Sequence, residues 1–133
     1  MKRLIVIIKS LIISTTLFNC NANIKEGAKV VSAEDMQTLL QLENVQLIDV
    51  RTPKEFNGGY IENAQNINFL SSTFSENIKK LDKEKPVIVY CRSGKRSAKS
   101  VKKLFEAGFT EIYDLEGGII KWKQEGFKVK VTH

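Results

Sequence analysis

The chain has 133 residues, 42% of them hydrophobic and 27% charged, and a formal net charge of +6, which is enough for one domain with a core and too little for two of ordinary size. Half of that charge, Lys2, Arg3 and Lys9, falls in the first nineteen residues, and no interleaving of aromatic and basic residues accompanies the lysines at 95, 99, 102 and 103, so nucleic acid is not an expected partner. The single histidine, His133, ends the chain; a cysteine-histidine dyad and a metal cluster are both disfavoured, and neither metal nor cofactor is expected.

Met1-Lys2-Arg3 opens onto a largely apolar stretch from Leu4 to Phe18, broken by Lys9 and Ser10. It is too short and interrupted for a membrane span, and has the form of a secretory signal peptide over residues 1–19. Leu17-Phe18-Asn19-Cys20 is similar to a bacterial lipoprotein cleavage box, although Asn19 stands where Gly, Ala or Ser is usual. Cys20 is then the expected lipidation site, residues 20–28 a tether and 29–131 the folded domain. The expected location is the periplasmic face of the bacterial cell envelope, with two or more acyl chains giving stable anchoring. Cleavage near Ala22 and an uncleaved anchor are the alternatives.

Val30-Val31 ends a short strand, and Ser32 followed by Glu34 and Asp35 predicts a helix N-cap with an acidic first turn. That helix carries Met36, Leu39 and Leu40 on one side. Val45 to Val50 is a nearly continuous apolar strand, as suits a sheet covered on both faces. Pro53 starts a short turn or helix through Phe56, ended by Gly58-Gly59. Ile67-Asn68-Phe69 reads as a brief strand and Phe74 to Leu81 as a polar helix with Ile78 and Leu81 inward. Lys85-Pro86 breaks the chain before Val87 to Tyr90, the most strand-like run. A helix from about Ser97 places Ala98, Val101, Leu104 and Phe105 on one face and Lys99, Lys102 and Lys103 on the other, stopping at Gly108. Ile112 to Leu115 is the last strand, and Gly117-Gly118 leads into a helix with Ile120 and Trp122. Strands alternating with helices across short connections argue a parallel α/β sandwich, whose ligand site lies at the carboxyl ends of the strands.

Cys91-Arg92-Ser93-Gly94-Lys95-Arg96-Ser97 falls at such an end, between the strongest strand and the most amphipathic helix. Three cations and a glycine within five residues of one thiol, at a helix start whose N–H groups are unpaired, form an anion cradle that favours a thiolate. Lys95 and Arg96 sit where the helix dipole disfavours cations, an exception that binding of an anion would offset. The competing reading of Cys91 is an inert, buried small hydrophobe.

Four ordered segments carry a resemblance to the rhodanese family of single-domain sulfurtransferases. They are Leu47-Ile48-Asp49-Val50-Arg51 with Glu55-Phe56, Gly59-Tyr60-Ile61-Glu62-Asn63-Ala64-Gln65-Asn66-Ile67, the Cys91 loop, and Leu115-Glu116-Gly117-Gly118-Ile119 with Trp122 and Gly126. The resemblance implies a three-layer sandwich with a central, mostly parallel five-stranded sheet flanked by helices. It implies that Cys91 takes sulfane sulfur from a small anionic donor such as thiosulfate, holds it as a persulfide, and passes it to cyanide or a thiol. The amides of Arg92, Ser93, Gly94, Lys95, Arg96 and Ser97 would cradle the anion, with Lys95 and Arg96 as side-chain contacts and Asp49 and Arg51 bordering the site. Many relatives have histidine where this chain has Tyr60, which bears on the choice of acceptor. Related phosphatases and arsenate reductases place five residues between Cys and Arg, against four from Cys91 to Arg96, so phosphoryl transfer is disfavoured.

The spacing of Arg51 and Glu55 suggests a salt bridge between them, and Asp49 either braces the loop or tunes Arg51. The lysines at 95, 99, 102 and 103 read as a solvated helix face. An exposed thiolate outside the cytosol is open to oxidation, so a protein reductant or protein sulfur donor is a further expected partner. A non-catalytic persulfide carrier or interaction module is the alternative function.

Overall fold

The computed structural model describes residues 24–132 apart from 26 and 43, so the signal segment, Cys20 and His133 lie outside the described residues. Eleven elements follow in order: β1 (Ile24–Lys25), β2 (Ala28–Val31), α1 (Ala33–Leu40), β3 (Gln46–Asp49), α2 (Pro53–Asn57), β4 (Gln65–Asn66), α3 (Phe74–Ile78), β5 (Val87–Tyr90), α4 (Lys95–Glu106), β6 (Ile112–Leu115) and α5 (Gly118–Gln124). The strands form one sheet in the order β1-β2-β6-β5-β3-β4. Strands β2 to β6 are all parallel, and only the two-residue β1 runs the other way, against β2. Ile24, Lys25 and Ala28, assigned to a tether from sequence, thus belong to β1 and β2.

The continuous apolar runs are explained by a sheet covered on both sides. Every residue of β5 and β6 is buried, and alternation divides them between two clusters. Val87, Val89 and Cys91 face the side packed by Val101 and Leu104 of α4 and Phe74 and Ile78 of α3. Ile88 and Tyr90 face the side packed by Met36 of α1 and Ile119 and Trp122 of α5. Each fully buried aliphatic or aromatic side chain contributes about 1.5–3 kcal/mol. Central β5, with neighbours on both edges and layers on both faces, is accordingly the element held most firmly. The expected Ser32 cap is present, its hydroxyl accepting from the N–H of Asp35 at 3.1 Å.

Three local expectations shift. The brief strand lies at Gln65–Asn66 rather than 67–69, although the chain stays beside β3, the N–H groups of Ile67 and Phe69 donating to the carbonyls of Asp49 and Val50. Helix α3 is one turn shorter than expected. Helix α4 begins two residues early and buries Ser97, Ser100, Val101 and Leu104, leaving Ala98 exposed and Phe105 59% exposed. Two serines can lie on the buried stripe because each satisfies its own hydroxyl locally: Ser97 donates to the Gly94 carbonyl at 3.2 Å and Ser100 to the Ser97 carbonyl at 2.7 Å.

Candidate active site

Cys91 is the residue after β5, and the chain reverses over it. Gly94 takes a left-handed conformation (φ 109°) as the N-cap of α4, a position that a side chain would strain, and its N–H donates to Cys91 Sγ at 3.0 Å. Helix α4 has no side-chain cap and no acid in its first turn, so nothing from the helix itself competes for the positive end of its dipole.

The other wall of the loop is α5. The N–H groups of Ile119 and Ile120, in its first turn, donate to the carbonyls of Cys91 and Arg92 at 2.9 and 3.2 Å. Among the described residues no peptide bond is cis, and in a trans peptide the N–H points opposite to the C=O. The N–H groups of Arg92 and Ser93 therefore point away from α5. Because α5 packs on one face of the sheet and Cys91 on the other, these donors turn to the face that holds the sulfur. Gly118 makes the arrangement possible: it has φ 61°, and a Cβ there would lie 2.4 Å from the Arg92 carbonyl oxygen.

Of the expected cradle residues, Arg92, Ser93 and Lys95 are exposed, Gly94 and Arg96 half-buried and Ser97 buried. Cys91 itself is 1% exposed. The sequence reading expected an exposed thiol; the packing of Cys91 with Val89 and Val101 instead recesses it beneath its loop. Only a small, narrow reactant suits such a sulfur.

Arg96 is committed elsewhere. Its two terminal nitrogens donate to the two oxygens of Glu55 at 2.8 and 2.7 Å, so Lys95 and Arg92 are the loop's outward cations. Glu55 also caps α2 reciprocally with Thr52: its N–H donates to the Thr52 hydroxyl at 3.3 Å and its carboxylate accepts from the Thr52 N–H at 3.0 Å. Arg96 foremost, with Thr52 assisting against burial, holds the Glu55 carboxyl down to about 2 from the ordinary 4.5.

The expected Arg51–Glu55 bridge is absent because Arg51 precedes the Thr52 cap and is not on the helix. In extended chain it lies on the same side as Asp49, and the buried pair bonds twice over, Nε to Oδ1 at 3.0 Å and Nη2 to Oδ2 at 2.6 Å. Arg51 Nη2 also donates to the Gly59 carbonyl at 2.7 Å. Removing one partner of a buried pair costs about 3–5 kcal/mol, so Asp49 and Arg51 anchor the loop after β3. Tyr90 completes the anchor: its hydroxyl accepts from the Ile61 N–H at 3.1 Å. Burial, reinforced by the charge of Asp49, raises the Tyr90 phenol well above its usual range, keeping it neutral. Tyr60 stacks on Phe56 with centroids 4.3 Å apart and exchanges two backbone hydrogen bonds with Lys130.

Between these anchors and α5 lies a cleft of about 380 Å³ lined by Arg51, Lys54, Glu55, Gly59, Arg92, Ile119, Ile120 and Lys123. A larger cavity of about 470 Å³ between β2 and α4 contains no loop residue and is mainly apolar, so chemistry rather than volume assigns the site to the Cys91 end.

The family model for the rhodanese-like domain matches residues 32–125. This chain belongs to the rhodanese-like domain family. It is 41% identical over 101 residues to the Bacillus subtilis protein YqhL, covering 71% of this chain and 76% of that one. It is 30% identical over 96 residues to the thiosulfate sulfurtransferase GlpE of Shewanella oneidensis, covering 72% and 93%. Among solved structures, a rhodanese-related protein from Thermoplasma volcanium superposes with a TM-score of 0.69 at 35% identity, covering 77% of this chain and 98% of that one. The rhodanese segments quoted from sequence contribute Cys91, Gly94, Gly118, Asp49, Arg51 and Glu55 to the geometry above. The residues that sequence reasoning undervalued are Thr52, whose spacing to Glu55 is a readable capping box, and Tyr90, which read only as strand.

Two outcomes are expected. Gly118→Ala displaces the Arg92 carbonyl and lowers sulfur transfer about 100-fold, a loss that an ångström-scale misplacement can produce. Gly126→Ala, with a comparable φ of 86° but nothing within 4 Å of the new Cβ, retains activity; equal losses in steady-state assays of the two would discard the clamp. The second concerns acid. The Glu55 pKa is lower folded than unfolded, so its contribution is complete above the ordinary 4.5 and is lost as pH falls towards about 2. Glu55→Gln should cost about 1 kcal/mol at neutral pH and flatten the decline of stability across that acid range. Urea titrations at several pH values test this, and a variant as acid-sensitive as its parent contradicts it.

Proposed function

We propose that this chain is a sulfurtransferase that moves sulfane sulfur through a persulfide on Cys91, with thiosulfate as donor and cyanide or a low-molecular-weight thiol as acceptor. The observation that carries the reading is the Cys91 sulfur already bonded by the Gly94 N–H, in a loop whose Cys91 and Arg92 carbonyls are taken up by α5. The similarity to GlpE, a thiosulfate sulfurtransferase by name, supports the donor.

In the first half-reaction the Cys91 thiolate attacks the outer sulfur of thiosulfate. A new S–S bond forms, the donor's S–S bond breaks, and sulfite leaves with the electron pair. In the second, the acceptor's carbon or sulfur attacks the terminal sulfur of the persulfide and the Cys91 thiolate departs. No external oxidant or reductant is consumed. Fixed N–H dipoles stabilise negative charge on the transferred sulfur without reorganising, while Arg92 and Lys95, exposed at the mouth, attract the sulfonate end of the donor. The recessed thiol favours these small reactants over a bulky one. A second part of the proposal concerns location: after cleavage, Cys20 is acylated and the domain is tethered to the cell envelope.

Mass spectrometry after thiosulfate treatment tests the chemistry. The expected result is one added sulfur atom on Cys91, released as thiocyanate by cyanide; Cys91→Ser should neither load nor turn over, and Lys95→Ala should raise KM for thiosulfate about fivefold, the equivalent of about 1 kcal/mol, with little change in kcat. Loading only from a protein persulfide would instead identify a carrier that serves a partner.

A further inference from the structure

The cleft between the loop after β3 and α5 lies across the Cys91 loop from the sulfur, and the transfer written above makes no use of it. Its volume of about 380 Å³ falls within the roughly 300–1,000 Å³ of small-molecule pockets, more room than a cyanide ion or a lone sulfonate fills. Its charged lining is Arg51, Lys54, Glu55, Arg92 and Lys123. Two of these are neutralised, Arg51 by Asp49 and Glu55 by Arg96. Lys54, Arg92 and Lys123 are exposed and make no salt bridge among the described residues. No second acid lines the cleft among the described residues: Glu125 sits at the C-cap of α5, and Glu116 is paired with Lys121. Three like charges, from α2, the Cys91 loop and α5, thus border one concavity whose apolar wall is Ile119 and Ile120. Their mutual repulsion is relieved by an anion, and the isoleucines favour one with an aliphatic part.

The cleft communicates with the reaction through Arg92, which lines it and is also exposed at the mouth. Ile119 bonds the Cys91 carbonyl, and Lys123 stands one turn further along α5, about 6 Å. The loop between cleft and sulfur is one backbone thick, about 5 Å by the spacing of neighbouring strands. Loading moves the reacting atom outward by one S–S bond, about 2 Å. A slender thiol with a carboxylate at the far end of a short aliphatic stem spans this path, the flexible side chain of lysine reaching to meet it; cyanide is too short to do so.

We propose that the cleft is an acceptor subsite for a carboxylate-bearing aliphatic thiol, whose carboxylate meets Lys54, Arg92 and Lys123 while its stem lies on Ile119 and Ile120. The acceptor thiol gives its proton to solvent and the thiolate attacks the outer sulfur of the Cys91 persulfide. A new S–S bond forms on the acceptor, the bond to Cys91 Sγ breaks, and its electron pair stays on the Cys91 thiolate. This deepens the sulfurtransferase reading above and rests on it.

The test follows discharge of the thiosulfate-loaded protein by mercaptohexanoate and by mercaptohexanol, thiols alike in length and different only in the carboxylate, with cyanide as a third acceptor. Lys54→Ala and Lys123→Ala should each raise KM for mercaptohexanoate about fivefold, while KM for mercaptohexanol and for cyanide stays within about twofold. The parent should prefer the acid to the alcohol by about twentyfold in KM, as two additive contributions of that size imply. Lys123→Arg should restore the parent value, and Lys79→Ala, which removes the same charge at the C-cap of α3 outside the cleft, should change nothing. A parent that does not distinguish the two thiols, a lysine variant that weakens both alike, or an equal effect from Lys79→Ala overturns the subsite. Loading of Cys91 and release of its sulfur to cyanide are read in the same samples: their failure removes the sulfurtransferase reading itself, whereas their success with undiscriminated thiols removes the subsite alone.

Discussion

The two hydrogen bonds from the first turn of α5 to the carbonyls of Cys91 and Arg92 give the active loop its polarity. A loop joining a strand to a helix has as many acceptors as donors, and left alone it would present both to whatever approaches. Taking the acceptors to one side leaves the donors on the other, and the alternation of β5 puts the sulfur on that side. The cost is steric: only glycine at position 118 allows a helix terminus to come this close to another backbone. Here helix packing is also electrostatic preorganisation, because the contact that docks α5 on the sheet orients the dipoles that face the sulfur.

The remaining polar residues hold that frame still. Asp49 and Arg51 tie the end of β3 to the Gly59 carbonyl, and Glu55 ties α2 to the first turn of α4 through Arg96. Neither pair is free to act on a substrate, since each charge already has a close partner of opposite sign. Burial makes the first pair costly to break rather than strongly stabilising in itself, so its effect is to specify one loop geometry. The loop cations that the packing leaves outside are Arg92 and Lys95.

Much of this frame was legible in the sequence because it is local. The apolar runs at 46–50, 87–90 and 112–115 are strands, Ser32 is a cap, and Cys91 falls at a strand-to-helix turn, all from neighbours a few residues away. What was misread depends on distance or on small differences in phase. Glu55 and Arg96 are 41 residues apart, so no spacing rule pairs them, and Arg51 was assigned to Glu55 four residues on, whereas its partner is Asp49, two residues back. In α4 the buried stripe falls on Ser97 and Ser100 rather than Ala98 and Phe105, because serine bonded to its own helix is small and satisfied, which a hydrophobicity pattern does not see. The recess of Cys91 is likewise a tertiary fact, set by Val89 and Val101 closing around it.

Membership of the rhodanese-like domain family and the polarity of this loop converge on a sulfur atom held among backbone N–H groups. The most direct measurement is a comparison of amide proton resonances before and after thiosulfate loads the ¹⁵N-labelled protein. If the added sulfur accepts from the loop, the N–H signals of Arg92 and Ser93 move downfield together with that of Gly94, while those of Ile119 and Ile120, bonded to carbonyls on the far side, stay in place. Unchanged signals at 92 and 93 on a protein shown to carry the extra sulfur would contradict the account.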